Sequence, residues 1–170
     1  KSNPKRVIPI MIENISSEKE YIRLNVATVL SEISAIYPED VPLEIIVNQW
    51  SKEEKIKVSK ELTNCISNIS NNDPIKFKNH LNQILDTFSK SNSTLRLIIA
   101  KVFIDIAEKN HELIPFDVIQ QLAIDEDSYI REIGIKIIGS VGKFYPKKSI
   151  TIIQNGLKDP EWNVKNAATD

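Results

Sequence analysis

The side chains that most often carry catalysis are sparse in this chain. His80 and His111 are its only histidines, and no neighbouring cysteine or acidic motif completes a metal site or a proton relay around them. Cys65, the single cysteine, cannot form an intrachain disulfide, and its place in an apolar stripe predicts a buried side chain rather than a nucleophile. Glycine-rich phosphate loops and G-x-S-x-G are absent from the sequence. The sequence therefore predicts no enzyme, no metal and no cofactor.

Basic residues at regular intervals are the next candidates for a functional site. Arg23, Arg96 and Arg131 each follow an apolar residue, and Lys165 stands at the corresponding place. Such a row of guanidinium groups could bind a phosphate or an acidic peptide. The alternative is structural pairing with nearby acids such as Asp125, and we favour that alternative.

A short basic and aromatic segment, KFYPKK at residues 143–148, could contact nucleic acid or an anionic lipid. The alternative is a solvated loop whose aromatic residues pack on the core. The net charge of the whole chain is −1, so there is no large basic field to attract a polyanion. We favour the solvated loop.

The arginines belong to an internal repeat, which is the main signal in the sequence. Five segments align on apolar anchors separated by 36, 37, 35 and 34 residues, namely Ile22, Val58, Leu95, Ile130 and Val164. Tyr37-Pro38 recurs as Tyr145-Pro146, at the same offset of 108 that separates Ile22 from Ile130. The second copy departs from the pattern because Ser59 follows its anchor.

Each unit contains two apolar stretches with helical spacing, such as Ile22, Val26, Val29, Leu30 and Ile33. Trp50 falls in one of the first stretches and is predicted to lie in the core, and Ile150, Ile153 and Leu157 are predicted to form the apolar face of the last one. Trp162, just after a turn, is predicted to pack while partly exposed, with a role as a binding hot spot as the alternative.

The predicted helix starts come from polar and proline residues. Ser17 with Glu20, and Ser51 with Glu54, have capping-box spacing. Asp73-Pro74 and Asp159-Pro160 indicate an N-cap followed by a proline in the first turn. The alternating isoleucines at 133, 135 and 137 also fit a strand, but the repeat favours a helix, in which Gly134 and Gly139 would allow close helix approach.

A single helix pair cannot bury both of its apolar faces, so consecutive pairs must stack. The predicted fold is all-α, a right-handed superhelix of about four and a half helix pairs in one domain. The predicted units are 3–37, 38–73, 74–111, 112–145 and an incomplete 146–170. We expect the chain to be a piece of a longer protein, since it begins at Lys1 and its only methionine is Met11.

These residues resemble HEAT repeats, the armadillo-like solenoid family that includes importins and adaptins. The resemblance covers essentially the whole chain. It rests on the apolar-basic dipeptides, on an alanine four or five positions after the apolar anchor, and on the acids Asp125 and Asp159 six positions before the basic residue. It implies a structural ladder of acids and bases between adjacent repeats, comprising Arg23, Arg96, Asp125, Arg131, Asp159 and Lys165. The ladder would be incomplete, because Ser17 and Lys90 replace the acid in the first and third units.

The resemblance also implies that the second helices line a concave face, which we take as the binding surface. A step of 100° per residue places one set of positions opposite the buried stripe. The predicted partner-binding positions are Leu24, Thr28, Lys60, Asn64, Leu97, Lys101, Ile104, Glu132 and Lys136.

The sequence thus predicts a non-catalytic scaffold that holds a protein or peptide partner, with nucleic acid unlikely and no membrane insertion. One alternative is a HEAT-like enzyme acting on nucleic acid, of the DNA-glycosylase type. Another is a trafficking module similar to adaptins or VHS domains. The lone Cys65 favours a reducing compartment, so a cytoplasmic location is expected.

Overall fold

The computed structural model describes residues 4–169 of the chain, and over that range every regular element is a helix. The helices follow one another as α1 (Pro4–Asn14), α2 (Glu20–Ile36), α3 (Leu43–Trp50), α4 (Ile56–Asn72), α5 (Pro74–Lys90), α6 (Ser93–Lys109), α7 (Phe116–Ala123), α8 (Ser128–Val141), α9 (Pro146–Gly156) and α10 (Trp162–Thr169), with a short 3-10 helix at His111–Leu113. The all-α prediction is confirmed. No helix in this range is both long and apolar enough to cross a membrane.

The chain divides into two compact units, one ending at Leu95 and the other beginning at Arg96. In the first unit α2 and α3 both pack against α4, and α5 packs against α3 and α4. Leu30, Ile46, Leu62, Ile66 and Ile69 are fully buried there. Trp50 also lies in this core, as predicted, where its indole N–H donates to Thr63 Oγ1 at 2.9 Å.

In the second unit α8 packs against α7, α9 and α10. Its isoleucines at 130, 133, 135, 137 and 138 are all buried, so the alternating stretch is a helix enclosed on several sides and the prediction of a helix is confirmed. The expected close approach occurs at Gly134, where an added Cβ would lie 2.6 Å from the Ala123 Cα. It does not occur at Gly139, where an added Cβ would meet nothing within 4 Å, so that prediction is wrong.

The predicted apolar face of α9 is wrong. The buried residues of this helix are Ser149, Ile152 and Gly156. Ile150 is 57% exposed and Leu157 is 45% exposed. Small residues occupy the contact face because neighbouring helices approach closely, and a Cβ at Gly156 would lie 2.8 Å from Ile135 Cδ1.

The predictions of helix starts are also confirmed in part and wrong in part. Asp73 caps α5 by accepting from the Lys76 amide at 3.1 Å, with Pro74 in the first turn, as predicted. The capping boxes are wrong, because α2 begins only at Glu20 and Ser51 terminates α3. Asp159 does not cap α10 directly either, since α10 begins at Trp162.

Candidate functional site

Four of the predicted ladder residues of the second unit form two ion pairs, Arg96 with Asp125 and Arg131 with Asp159. Arg131 Nε donates to Asp159 Oδ2 at 2.8 Å and its Nη2 donates to Asp159 Oδ1 at 2.9 Å. Arg96 pairs with Asp125, and its Nη1 also reaches Glu126 Oε1 at 3.0 Å. Each arginine thus contacts the acid that precedes the second helix of the next pair, and we call such a contact a ladder contact.

The first unit contains a ladder contact that the sequence analysis missed. Arg23 Nε donates to Glu53 Oε2 at 2.8 Å and Arg23 Nη2 donates to Glu53 Oε1 at 3.0 Å. Glu53 stands six positions before Ser59, the same spacing that separates Asp125 from Arg131. The signal was therefore present, but the missing arginine at position 59 hid it.

Two further features recur in these contacts. Arg23 Nη1 donates to the carbonyls of Ser17 and Glu18, at 2.8 and 3.1 Å, and Arg131 Nη1 donates to those of Asp125 and Glu126, at 2.9 and 3.0 Å. In each case the carbonyls lie six and five residues before the arginine. The guanidinium therefore fixes its own interhelix loop while it contacts the next one.

Each acid of the ladder also organises its own loop. One carboxylate oxygen of Glu53 accepts from the Lys55 amide at 3.0 Å. Asp125 and Asp159 accept in the same way from the amides two residues on, both at 2.9 Å. By accepting these hydrogen bonds, the carboxylates stabilise the turns before the second helices. The serine capping boxes are therefore not needed there.

Two ladder contacts lower the pKa values of their carboxylates, Glu53 and Asp159. Burial alone would raise the pKa of Glu53, but the hydrogen bonds from Arg23 and from the Lys55 amide outweigh it and hold that pKa below its ordinary value. The hydrogen bond from Arg131 holds the pKa of Asp159 low. Lys165 adds a weaker favourable charge to Asp159, and the described residues give its side chain no ion pair.

The ladder is interrupted in its middle. Ser59, at an arginine position, is buried, and its carbonyl accepts from the Thr63 hydroxyl at 2.8 Å. Lys90 stands at the acid position of the next pair and contacts Asp86 on its own helix, with 2.6 Å between Nζ and Oδ2. Between the second and third helix pairs, the chain therefore supplies neither the arginine nor the acid of a ladder contact.

The predicted partner-binding positions of the first unit lie on α2 and α4. Lys60 and Asn64 are exposed, whereas Leu24 and Thr28 are half-buried. At these positions α4 therefore contributes polar surface, and α2 contributes a partly covered leucine and threonine.

In the second unit the predicted positions include a connected polar cluster. Glu132 accepts from Lys136 at 2.5 Å and from the Asn163 amide at 3.0 Å, and it lies within the electrostatic reach of Lys101. Partial burial would raise the pKa of Glu132, but these partners outweigh it and lower that pKa. Leu97 and Ile104, on the same helix as Lys101, are half-buried. The structure thus brings lysines and a carboxylate from α6 and α8 together.

A mostly apolar groove of about 420 Å³ lies between α8 and α9, and we call it the α8–α9 groove. Its walls include Ile138, Ile150 and Ile153, and its floor includes the Ser149 hydroxyl, which is buried and has no hydrogen-bond partner among the described residues. The misassigned isoleucines of α9 are therefore the residues that line this groove.

The candidate catalytic residues Cys65, His80 and His111 each have different surroundings. Cys65 is fully buried, and burial raises the pKa of its thiol to about 12. His80 is half-buried on α5. His111 stacks on Phe144, with 3.5 Å between the ring centroids. Within residues 4–169 no group of three or more His, Cys, Asp or Glu side chains is arranged to hold a metal ion.

One aromatic residue of the basic segment packs against the protein and the other is exposed. Tyr145 is half-buried against Phe116, with ring centroids 5.0 Å apart, while Phe144 is 46% exposed beside Lys143. Trp162 is 75% exposed at the start of α10, so the expected packing role is wrong.

Comparison with known proteins identifies the fold. No family model matches the chain, and no curated protein matches its sequence. Among solved structures it is similar to a designed armadillo repeat protein in complex with the peptide (KR)4, with a TM-score of 0.65, 16% identity, and coverage of 95% of this chain and 78% of that one. It is also similar to the MAST/Orbit N-terminal domain, with a TM-score of 0.64, 16% identity and coverage of 93% and 78%.

An engineered protein gives a third similarity, with a TM-score of 0.64, 14% identity and coverage of 99% of this chain and 78% of that one. At such identities the similarity concerns the fold. The chain therefore has the fold of the armadillo and HEAT-like helical-repeat solenoids, as the repeat in its sequence predicted.

Proposed function

We propose that this chain is a non-catalytic scaffold that binds a protein or peptide partner through the outward face of its second helices, the concave face in solenoids of this class. The observation that carries the proposal is the surface of the second unit. There Lys101, Glu132 and Lys136 form a charged cluster beside the half-buried Leu97 and Ile104. Protein-binding surfaces have an apolar core and a polar rim, and these residues supply a group of each kind.

The chemistry of the surface favours a peptide or protein over a small substrate. The α8–α9 groove supplies an apolar surface with Lys143 at its edge, and a designed protein of the same fold is found in complex with a peptide. Apolar side chains of a partner fit such a groove, and its charged side chains fit the cluster of Lys101, Glu132 and Lys136. We further propose a reducing, cytoplasmic location, in which the buried Cys65 stays a thiol.

Affinity capture with matched variants tests the proposal. The chain and the double variant Leu97→Ser/Ile104→Ser are used as baits, and Ile75→Ser, at a 72% exposed position on α5, is the control. We expect the same proteins on the chain and on Ile75→Ser, and their loss from the double variant at unchanged helicity. A second bait, Lys101→Glu/Lys136→Glu, alters charge without removing apolar packing. Unchanged capture by both double variants would refute binding through this face.

A nucleic-acid function is the second candidate, and one observation favours it. Between Glu132 and Asp159 the sequence has no acidic residue but contains Lys136, Lys143, Lys147, Lys148 and Lys158. A salt series separates the two functions, because binding through phosphates weakens steeply as the salt concentration rises. We expect no measurable duplex or single-strand binding at physiological salt.

A further inference from the structure

The interruption of the ladder coincides with an open cleft in the first unit. This loop cleft encloses about 600 Å³ and is lined by the loop after α3 (residues 51–54) and by the end of α5 with the loop that follows it (residues 83–92). Its walls are polar, with Glu54, Asp86 and Asn92 among them.

One helix pair earlier, a pocket lies at the corresponding place in the repeat. It is lined by Ser17, Glu18, Glu53 and Glu54, encloses only about 250 Å³, and includes Arg23 in its wall. The difference between the two follows from the sequence. The guanidinium of Arg23 occupies the first position, and Ser59 is too short to reach the second.

The geometry of the ladder contacts indicates which chemical group fits the loop cleft. At two positions an arginine Nη1 donates to a pair of loop carbonyls, those of Ser17 and Glu18 and those of Asp125 and Glu126. At the middle position the corresponding carbonyls belong to Glu53 and Glu54, six and five residues before Ser59, and both residues line the loop cleft. A planar group with several N–H donors fits a pair of carbonyls that a single ammonium cannot contact in the same way.

The charges around the loop cleft suit a cation as well. The Glu54 carboxylate is at the wall, and the positive charge of Lys90 is already met by Asp86 at 2.6 Å. The remaining cation in the wall, Lys52, is exposed, so its side chain can turn to solvent.

We infer that the loop cleft is a binding site for the guanidinium group of an arginine supplied by a partner chain, which takes the place of the arginine that the ladder lacks at position 59. The site is formed by interhelix loops of the first unit and does not depend on the second-helix face proposed above.

Titration of the whole chain, labelled with ¹⁵N, tests this inference by NMR. The probe is the peptide acetyl-Gly-Arg-Gly-amide, with lysine and citrulline peptides of the same length as controls. We expect the arginine peptide to shift the amide signals of residues 52–55 and 90–92, and the other two to bind at least fivefold more weakly. Equal affinities for arginine and citrulline peptides, or no shifts with arginine, would overturn the inference.

A variant that completes the ladder internally provides the second arm. Ser59→Arg/Lys90→Asp places an arginine and an acid at the two middle positions, so we expect a higher melting temperature and no response to the arginine peptide. Persistent binding in this folded variant would contradict the proposed site. Should the double variant fail to fold, Glu54→Gln serves instead and is expected to weaken arginine binding at least threefold at unchanged melting temperature. Leu97→Ser/Ile104→Ser is expected to bind the peptide normally, which separates this site from the proposed scaffold face.

Discussion

Arg23 and Glu53, thirty residues apart in sequence, are joined by two hydrogen bonds of 2.8 and 3.0 Å between the first two helix pairs. The Glu53 side chain is 1% exposed and that of Arg23 is 14% exposed. Breaking an ion pair that is this well covered costs more stability than breaking an exposed one, because removing one partner leaves a buried charge without a counter-charge.

Removal of the acid should therefore be costly. We expect Glu53→Ala to lower the free energy of unfolding by about 3 kcal/mol, since Arg23 loses its partner and the Lys55 amide loses its acceptor. The exposed neighbour Glu54 is the matched control, and Glu54→Ala should change stability by less than about 0.5 kcal/mol. Urea unfolding followed by circular dichroism measures both, and equal effects of the two variants would refute a stabilising role for the ladder.

Acid should weaken the same contacts. The pKa values of Glu53 and Asp159 lie below their ordinary values of about 4, so on acidification the unfolded chain binds protons before the folded chain does. Their contribution to stability is present above about pH 4 and is lost as the pH falls through the lowered pKa values. We expect Asp159→Asn to flatten the decline of unfolding free energy between pH 5 and about pH 2 relative to the unsubstituted chain. An equally steep decline in the two proteins would contradict this assignment.

The repeat allowed the sequence to predict the architecture but only part of the ladder. Periodicity placed Arg131 six residues after Asp125, and the structure shows both in ladder contacts. Glu53 was missed because its unit lacks the arginine that would have marked the position. The capping boxes at Ser17 and Ser51 failed because a local pattern does not reveal that a distant arginine and acid already satisfy the loop.

Packing faces were less predictable than helices. Hydrophobicity alone suggested that Ile150 and Ile153 are buried in α9, whereas the contact face is made of Ser149, Ile152 and Gly156. Close approach of helices selects small residues there, and small residues carry a weak hydrophobic signal. The same limitation made Gly134 and Gly139 look equivalent.

Those two glycines provide a matched pair within one helix. An alanine Cβ at position 134 would lie 2.6 Å from the Ala123 Cα, a backbone atom that cannot move aside cheaply. We expect Gly134→Ala to lower the free energy of unfolding by about 2 kcal/mol or more. At position 139 the space is open, so Gly139→Ala should raise it by about 0.5–1 kcal/mol through helix propensity. Thermal unfolding of both variants measures the difference, and effects of the same sign would show that the packing of α8 against α7 is not as described.

The thiol of Cys65 should report on opening of the first unit. Its side chain is fully buried and its pKa is raised to about 12, so at pH 8 roughly one thiol in 10⁴ is ionised, and the thiolate is the reactive form. We expect alkylation by iodoacetamide at pH 8 to be at least about 100-fold slower in the folded chain than in guanidinium. The variant Asn64→Cys/Cys65→Val moves the thiol to the exposed neighbouring position, where it should react at the rate of the unfolded chain. Because the valine keeps the buried position apolar, this control separates burial from any general loss of structure. Fast labelling of Cys65 in the folded chain would mean that α4 leaves its contact with α2 without unfolding of the unit.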